Sequence, residues 1–291
     1  MDAYQIITDK IIKLLENNVV PWRRPWTSTG LPRNLVSKKQ YRGVNVFLLS
    51  ASKYVSPFWL TMRQANQLGG HIRKGEESTP IVFWKIDDVK QSTEDLGAEE
   101  TGEKTRRRFL LRIYRVWNLE QCELPQAVLD KLPKMETHQH DPIEAVEKII
   151  AGMPNPPEIV RGGSKAYYSP LTDRITLPPR ELFISAEEEA ATETHELIHS
   201  VGHEKRLARE GICEAAPFGS PVYSKEEMVA EMGAAFLCAE AGISNAVIDN
   251  QAAYVAGWLK KLGDNRKLLI HAAAQAQKAA DYILGKSPIP T

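Results

Sequence analysis

The sequence predicts an α+β protein in two parts: an N-terminal α+β domain with a small antiparallel sheet, residues 1–132, and a mostly helical domain with a short sheet, residues 133–291. Three observations carry that expectation. At 291 residues, with 43% hydrophobic and 25% charged side chains, the chain has apolar material for one large or two medium domains. Its formal charge of zero divides at Leu132 into +6 before it (21 Lys+Arg, 15 Asp+Glu) and −6 after it (16 and 22), and opposite signs suggest separate tasks. Strand-like segments mix with short helices in the first part, whereas from Ser185 onward the apolar spacing is helical.

Ile6, Ile7, Ile11, Leu14 and Leu15 recur at helical spacing, which predicts an amphipathic opening helix over residues 3–17, ended by Asn17-Asn18. Pro21 to Arg42, rich in Pro, Gly, Trp and Arg without periodicity, reads as an ordered loop. Helices follow over Asn45–Lys53 and Thr61–Leu68, the second capped by Thr61 and stopped by Gly69-Gly70. Pro80–Ile86 and Phe109–Trp117 are strand candidates, joined through the polar insert QSTEDLGAEETGEKTRR as a hairpin tip. Residues 120–141, broken by Pro125 and Pro133 and closing on THQHD, read as the linker, with His138 and His140 as solvated side chains.

The second part opens with a short helix near 142–151, then the proline-rich GMPNPPEIV, then a hairpin over Ala166–Pro178 that turns at Thr172-Asp173. Ser185 with Glu188 is a capping-box signature for the next helix, and Gly202 is its stop. Further helices fit 224–241, 246–262 and 264–284. The first twenty residues mix charges among the apolar positions, so neither a signal peptide nor a spanning helix is expected, which places the protein in the cytoplasm with no membrane partner. Cys122, Cys213 and Cys238 form an odd set without C-x-x-C spacing, which argues against a disulfide framework and cysteine-ligated zinc and for buried thiols.

The chemistry is concentrated in His195-Glu196-Leu197-Ile198-His199. Histidines at i and i+4 share one helix face, so both imidazoles reach a single zinc ion at about 2.0–2.1 Å. Glu196 between them is the catalytic carboxylate, taking a proton from water that the metal has acidified towards ~7 and passing it to a leaving amine. The capped helix follows a strand hairpin and precedes a second helix rich in carboxylates, the order of elements in zincin metallopeptidases. There Glu227 and Glu231 lie one turn apart, and Ala230, Ala234 and Ala235 make the surrounding face one where a carboxylate is costly without a cation. Glu231 is therefore expected as the third ligand, with Glu227 supporting the ligands from behind. His203 is the rival, but H-x-x-G-H is two residues short of the metzincin spacing H-x-x-G-x-x-H, and Lys205 stands where that ligand belongs. Tyr223 and His203 are candidate donors to a developing oxyanion. Zinc is the expected metal, with another divalent ion such as Mn2+ as the alternative.

Five of the six tryptophans, at positions 22, 26, 59, 84 and 117, lie in the basic part. Single-stranded nucleic acid is held by cations that follow phosphates and by aromatic faces on which bases stack. Residues 19–45 interleave both, which makes Trp22, Arg23, Arg24, Trp26, Lys38, Lys39, Tyr41 and Arg42 the candidate DNA-binding residues. No base code is legible there, so sequence-tolerant, salt-sensitive binding is expected.

At PWRRPW (21–26), YRGVNVFLL (41–49), FWLTMRQANQLGGHIRKGE (58–76), PIVFWK (80–85), YRVWNLEQC (114–122), THELIHSVGH and KEEMVAEMGAAFL the chain resembles the ArdC family of plasmid antirestriction proteins. That family shares its N-terminal domain with TraC-type primases of conjugative plasmids, and the likeness runs over nearly the full length; Trp117 stands where members commonly have phenylalanine. The resemblance implies a single-stranded-DNA-binding domain over 1–132 and a zincin-like metallopeptidase domain over 133–291. It places the metal ligands on His195, His199 and Glu231 and the catalytic glutamate on Glu196. It also implies protection of incoming plasmid DNA from host restriction during conjugation, with a host restriction-related protein as a conceivable peptide substrate. Two alternatives stay open: a metallopeptidase acting on a host protein unrelated to DNA, and a DNA-binding protein whose metal is only structural.

Overall fold

Ile7, Ile11 and Leu15 recur a turn apart and are fully buried, so the opening segment folds as helix α1 (Ala3–Glu16), capped at Asn17. The computed structural model describes residues 2–17, 19–21, 31–52, 54, 56–90, 105–132, 142–214, 220–243 and 252–286. Four expected DNA-binding residues, Trp22, Arg23, Arg24 and Trp26, and the linker histidines His138 and His140 lie outside the described residues, as does the hairpin tip at 91–104.

Strand β1 (Arg33–Asn34) and helix α2 (Val44–Ser50) come next. Every residue of α2 from Val44 to Leu49 is buried, and Asn45 meets its polar needs by exchanging two hydrogen bonds with the backbone of Val82, at 2.7 and 2.8 Å. Strand β2 (Phe58–Leu60) leads into α3 (Met62–Gln67), which starts where Thr61 predicts: its side chain accepts from the Gln64 N–H while Gln64 Oε1 accepts from the Thr61 N–H at 2.9 Å. Gly69 follows with φ +79°, a left-handed conformation suited to ending a helix.

Strand β3 (His71–Ile72) precedes the two long strands β4 (Thr79–Lys90) and β5 (Thr105–Asn118). Both overrun the expected strands, because Asp87–Lys90 and Thr105–Arg108 continue the antiparallel ladder in register despite their polar composition. The main sheet has the order β1-β2-β5-β4, with β1 and β2 parallel and the other pairs antiparallel. The expected linker is ordered over its first part: β6 (Cys122–Glu123) pairs with β3, α4 (Gln126–Leu129) follows, and Cys122 and Leu124 pack against the buried Leu60–Ala65 cluster.

After α5 (Pro142–Gly152) comes β7 (Glu158–Arg161), a strand that the preceding prolines had hidden. Strands β8 (Tyr167–Ser169) and β9 (Arg174–Leu177) form the expected hairpin, with β7 added parallel to β9 in the order β7-β9-β8. Helix α6 (Ala186–Val201) is capped by Ser185, which accepts from the Glu188 N–H; the Glu188 carboxylate accepts from Ile184 N–H, so only half of the capping box forms. Helices α7 (Glu210–Cys213), α8 (Pro221–Ala241), α9 (Ala252–Asp264) and α10 (Leu268–Ile283) complete the α+β fold. Cys238 is buried as expected, whereas Cys213 is exposed. No described helix is long and apolar enough to cross a membrane.

Helix α8 packs between α6 and α10, and the largest apolar cluster joins both parts of the chain. Ile7, Phe47 and Val82 meet Leu197, Phe236 and Ala273 in that cluster, with the rings of Phe47 and Phe236 stacked at 4.9 Å. Polar ties cross the same seam: Thr8 Oγ1 donates to Arg266 O at 2.7 Å, the Gly43 N–H donates to Gln277 Oε1 at 3.0 Å, and Arg42 pairs with Asp281.

Candidate metal centre

Helix α6 brings His195 and His199 onto one face, with Nε2 of each facing the other at 3.1 Å and ring planes at 79°. Helix α8 lies across them and supplies Glu227, whose carboxylate oxygens stand 3.8 Å from His195 Nε2 and 3.6 Å from His199 Nε2. One donor atom from each of these three residues falls within 4.8 Å of the others. Two imidazole nitrogens and a carboxylate oxygen are the donor set of a borderline divalent cation, and two bonds of about 2.0–2.1 Å at a tetrahedral centre separate their nitrogens by about 3.3–3.4 Å. The residues fit such an ion.

Glu231, the expected third ligand, is not among these three residues, whereas Glu227 is. The two glutamates share a face of α8 but not a level, since four residues advance a helix by about 6 Å. The imidazole pair stands at the level of Glu227.

Behind the donors lies a layer that sequence reasoning missed. His199 Nδ1 is 3.3 Å from Glu226 Oε1, and the Glu226 carboxylate is held in turn by Arg209, which donates through Nε at 3.0 Å and through Nη2. Arg209 Nη2 also donates to Ile198 O at 2.7 Å, tying the pair to the backbone of α6. All three side chains are buried. A proton on Nδ1, shared with Glu226, would leave the Nε2 lone pair of His199 facing His195 and Glu227, the arrangement by which an outer carboxylate fixes a metal-binding tautomer. Burial pushes the Glu226 carboxyl up, but its bonds from His199 and Arg209 prevail and hold it below the usual carboxylate range. Burial would lower His199, yet Glu226, Glu227 and Glu196 together raise it above an ordinary histidine. The sequence carries only a weak signal for this layer, the Glu226-Glu227 doublet; Arg209 is remote and unmarked.

Glu196 is buried beside the group. Burial foremost and the nearby Glu227 raise its carboxyl above the usual range, against His199 and a backbone hydrogen bond from Tyr168 in β8. The Tyr168 hydroxyl donates to Asp173 Oδ1 at 2.9 Å, and Arg206 Nη1 donates to Asp173 Oδ2 at 3.0 Å, so the β8–β9 turn is fastened to the segment leaving α6. Tyr223 sits at the start of α8 with its hydroxyl hydrogen-bonded to Glu227; burial and that carboxylate push it up to about 12, so it remains a protonated donor. His203 lies past the end of α6, buried, its Nδ1 accepting from the Lys205 N–H at 3.2 Å, and it is not among the three donors.

The described members of the expected DNA-binding set divide. Lys38 and Lys39 are exposed, Lys38 with its ammonium 5.3 Å over the Phe58 ring. Tyr41 is only 6% exposed and packs with Leu49, Trp59, Ile81 and Val116, which leaves no face for a base. Arg42 is paired with Asp281 of α10 and serves the seam between the two parts.

Comparison with known proteins adds to this geometry. A model of the N-terminal domain of the anti-restriction factor ArdC matches residues 1–117, and a zincin-like metallopeptidase model matches residues 144–275. Two Escherichia coli proteins named DNA primase TraC are 33% and 32% identical over 97% of this chain, which spans 20% and 27% of their lengths. An uncharacterized Sinorhizobium fredii protein, y4eC, is 34% identical over 97% of this chain and 91% of its own. The metal-free crystal structure of the antirestriction ArdC protein from the R388 plasmid superposes with a TM-score of 0.75 at 33% identity, covering 97% of both chains. Its Mn(II)-bound form gives 0.73 at 32% identity, covering 98% of both.

Proposed function

Because the chain belongs to the ArdC family of antirestriction proteins, we propose that it protects incoming plasmid DNA from host restriction during conjugation, acting in the cytoplasm. Its basic first part, residues 1–132, binds single-stranded DNA without strong sequence preference, and its second part, residues 133–291, is a zinc-dependent metallopeptidase that cleaves a host protein. The observation that carries the second half of this reading is the convergence of His195, His199 and Glu227 beside the buried Glu196.

His195, His199 and Glu227 are the residues that would hold the metal. A divalent cation there supplies a Lewis acid that polarises a carbonyl and lowers the pKa of water towards ~7. Glu196 accepts and returns a proton at its carboxylate, and burial moves its affinity for that proton closer to neutrality, where a general base works best. The Tyr168 N–H and the fastened β8–β9 turn orient Glu196. Tyr223, kept as a phenol, offers a hydrogen-bond donor at the edge of the site. Glu226 keeps the His199 tautomer that leaves Nε2 unprotonated. For the first part, support comes from the +6 charge of residues 1–132 and from the likeness to proteins named primases, whose substrates are nucleic acids.

The test pairs metal content with plasmid transfer into a restricting host. Glu227→Ala is expected to lose stoichiometric metal while Glu231→Ala keeps it; the reverse would return the third ligand to Glu231. Glu196→Gln is expected to keep metal and lose protection. A second reading, a metal that only staples α6 to α8, draws on the placement of the donors between two core helices; it gains if Glu196→Gln protects as well as wild type.

A further inference from the structure

The β4–β5 ribbon has two unlike faces. Residues opposite one another in an antiparallel pair point to the same side. By register, Val82 with Ile113 and Trp84 with Leu111 share one face, while Ile81 with Tyr114 and Phe83 with Arg112 share the other. The first face is the inner one: Val82 belongs to the main apolar cluster, and Leu111 and Ile113 pack against it. Among the described residues, the second is covered at its base, where Ile81 and Val116 meet Tyr41, Leu49 and Trp59.

Phe83 is 46% exposed and Tyr114 44% exposed, their ring centroids 5.7 Å apart and their planes at 71°. Tyr41 buttresses Phe83 from the buried side at 6.4 Å between centroids, so the platform is fixed to the core rather than carried on a loop. Arg112, the cross-strand neighbour of Phe83, is exposed, as is Lys39 two residues before Tyr41, whereas the Lys38 ammonium lies over Phe58 on the other side of the sheet. Of Thr79, Ile81, Phe83, Arg112, Tyr114 and Val116 on this face, Arg112 alone is charged; further along the ladder the same register continues through Lys85 with Leu110 and Asp87 with Arg108. Two half-exposed rings on a ribbon, with the exposed guanidinium of Arg112 directly across from Phe83, have the chemistry of a surface on which bases stack while phosphates are neutralised.

We infer that the outer face of the β4–β5 ribbon is the single-stranded nucleic-acid platform, with Phe83 and Tyr114 stacking bases and Arg112 and Lys39 meeting phosphates. This rests on the first part's being the DNA-binding part, and it moves the contact from the Pro21–Arg42 stretch, where the sequence places it, to strands β4 and β5. Tyr41 then acts as the support of the platform and not as a stacking ring.

The test is fluorescence anisotropy of a labelled oligo-dT with the full-length protein over a salt series. Phe83→Ala with Tyr114→Ala is expected to raise Kd at least tenfold while the slope of log Kd against log salt stays the same, because stacking releases no counterions. Arg112→Gln is expected to lower that slope by about 0.7, the contribution of one phosphate on a single strand. The conservative pair Phe83→Tyr with Tyr114→Phe keeps binding within about threefold, which separates loss of the rings from loss of the fold. If wild type binds and the double alanine variant binds equally well, or if the conservative pair is as defective as the alanine pair, the platform is overturned and the DNA-binding role stands. If wild type itself does not bind the oligonucleotide, the role falls and takes the platform with it.

Discussion

Gly233→Ala isolates the contact that sets how closely α6 and α8 approach. A Cβ at position 233 would lie 2.6, 2.8 and 3.0 Å from Cδ1, Cγ1 and Cγ2 of Ile198, a fully buried residue next to His199. Two effects oppose each other. Alanine in a helix interior is favoured over glycine by roughly 0.5–1 kcal/mol, whereas overpacking a tight core costs about 1–3 kcal/mol. Three atoms of one branched side chain crowd the new methyl group, which puts the cost near its upper end and leaves a net loss of about 2 kcal/mol. An unfolding entropy of roughly 2.1 cal/mol/K per residue gives about 0.6 kcal/mol/K for 291 residues unfolding together, so Tm falls by about 3 °C. The assay is thermal unfolding of the metal-free protein, followed by chelator competition, since spreading α6 from α8 also separates the histidines from Glu227. On an Ile198→Ala background all three crowding atoms are gone, and Gly233→Ala should then be neutral or stabilising. A loss of the same size on both backgrounds, or a Tm that rises in the single variant, refutes the close crossing as its cause.

Glu226→Gln should weaken metal binding by about 10- to 100-fold in chelator competition with little change in secondary structure, because the His199 imidazole loses the carboxylate that orients it; unchanged affinity would remove Glu226 from the site. Glu76 tests acid sensitivity: hydrogen bonds from the Gln121 amide foremost, at 3.0 Å, and from Arg73 hold its carboxyl below its ordinary value of 4.5. A depressed folded value means that its stabilisation is complete above about pH 4.5 and is lost as pH falls through the depressed value. Glu76→Gln should therefore show a shallower acid limb of stability than wild type, and identical limbs would count against the clamp.

Patterns that repeat along one element were legible before any coordinates. The i, i+4 histidines, the Thr61 cap and the hairpin strand at Ile175 and Leu177 all follow from a single helix or strand and its period. What the sequence leaves open depends on how two elements meet. Glu227 and Glu231 cannot be told apart by period, and the choice falls to the level at which α6 crosses α8. Tyr41 among arginines and lysines resembles a stacking residue, but the sheet beneath it takes the ring as core. Phe83 and Tyr114 lie in the two expected strands, and their half-exposure depends on where Tyr41, Leu49 and Trp59 pack against the sheet. Strand β7 was masked by prolines that lie just before it and cost it nothing.

The seam between the first and last helices deserves a mechanical reading. Phe47 against Phe236, Thr8 on the carbonyl of Arg266 and Arg42 on Asp281 all join segments more than 180 residues apart, and none involves residues 133–141. A nick in that stretch would leave each of these bonds intact. The halves are held to one another by interdigitation as well as by the chain itself, so a load on the first part reaches α8 through Phe47 and Phe236, and α8 is also the helix that bears Glu227.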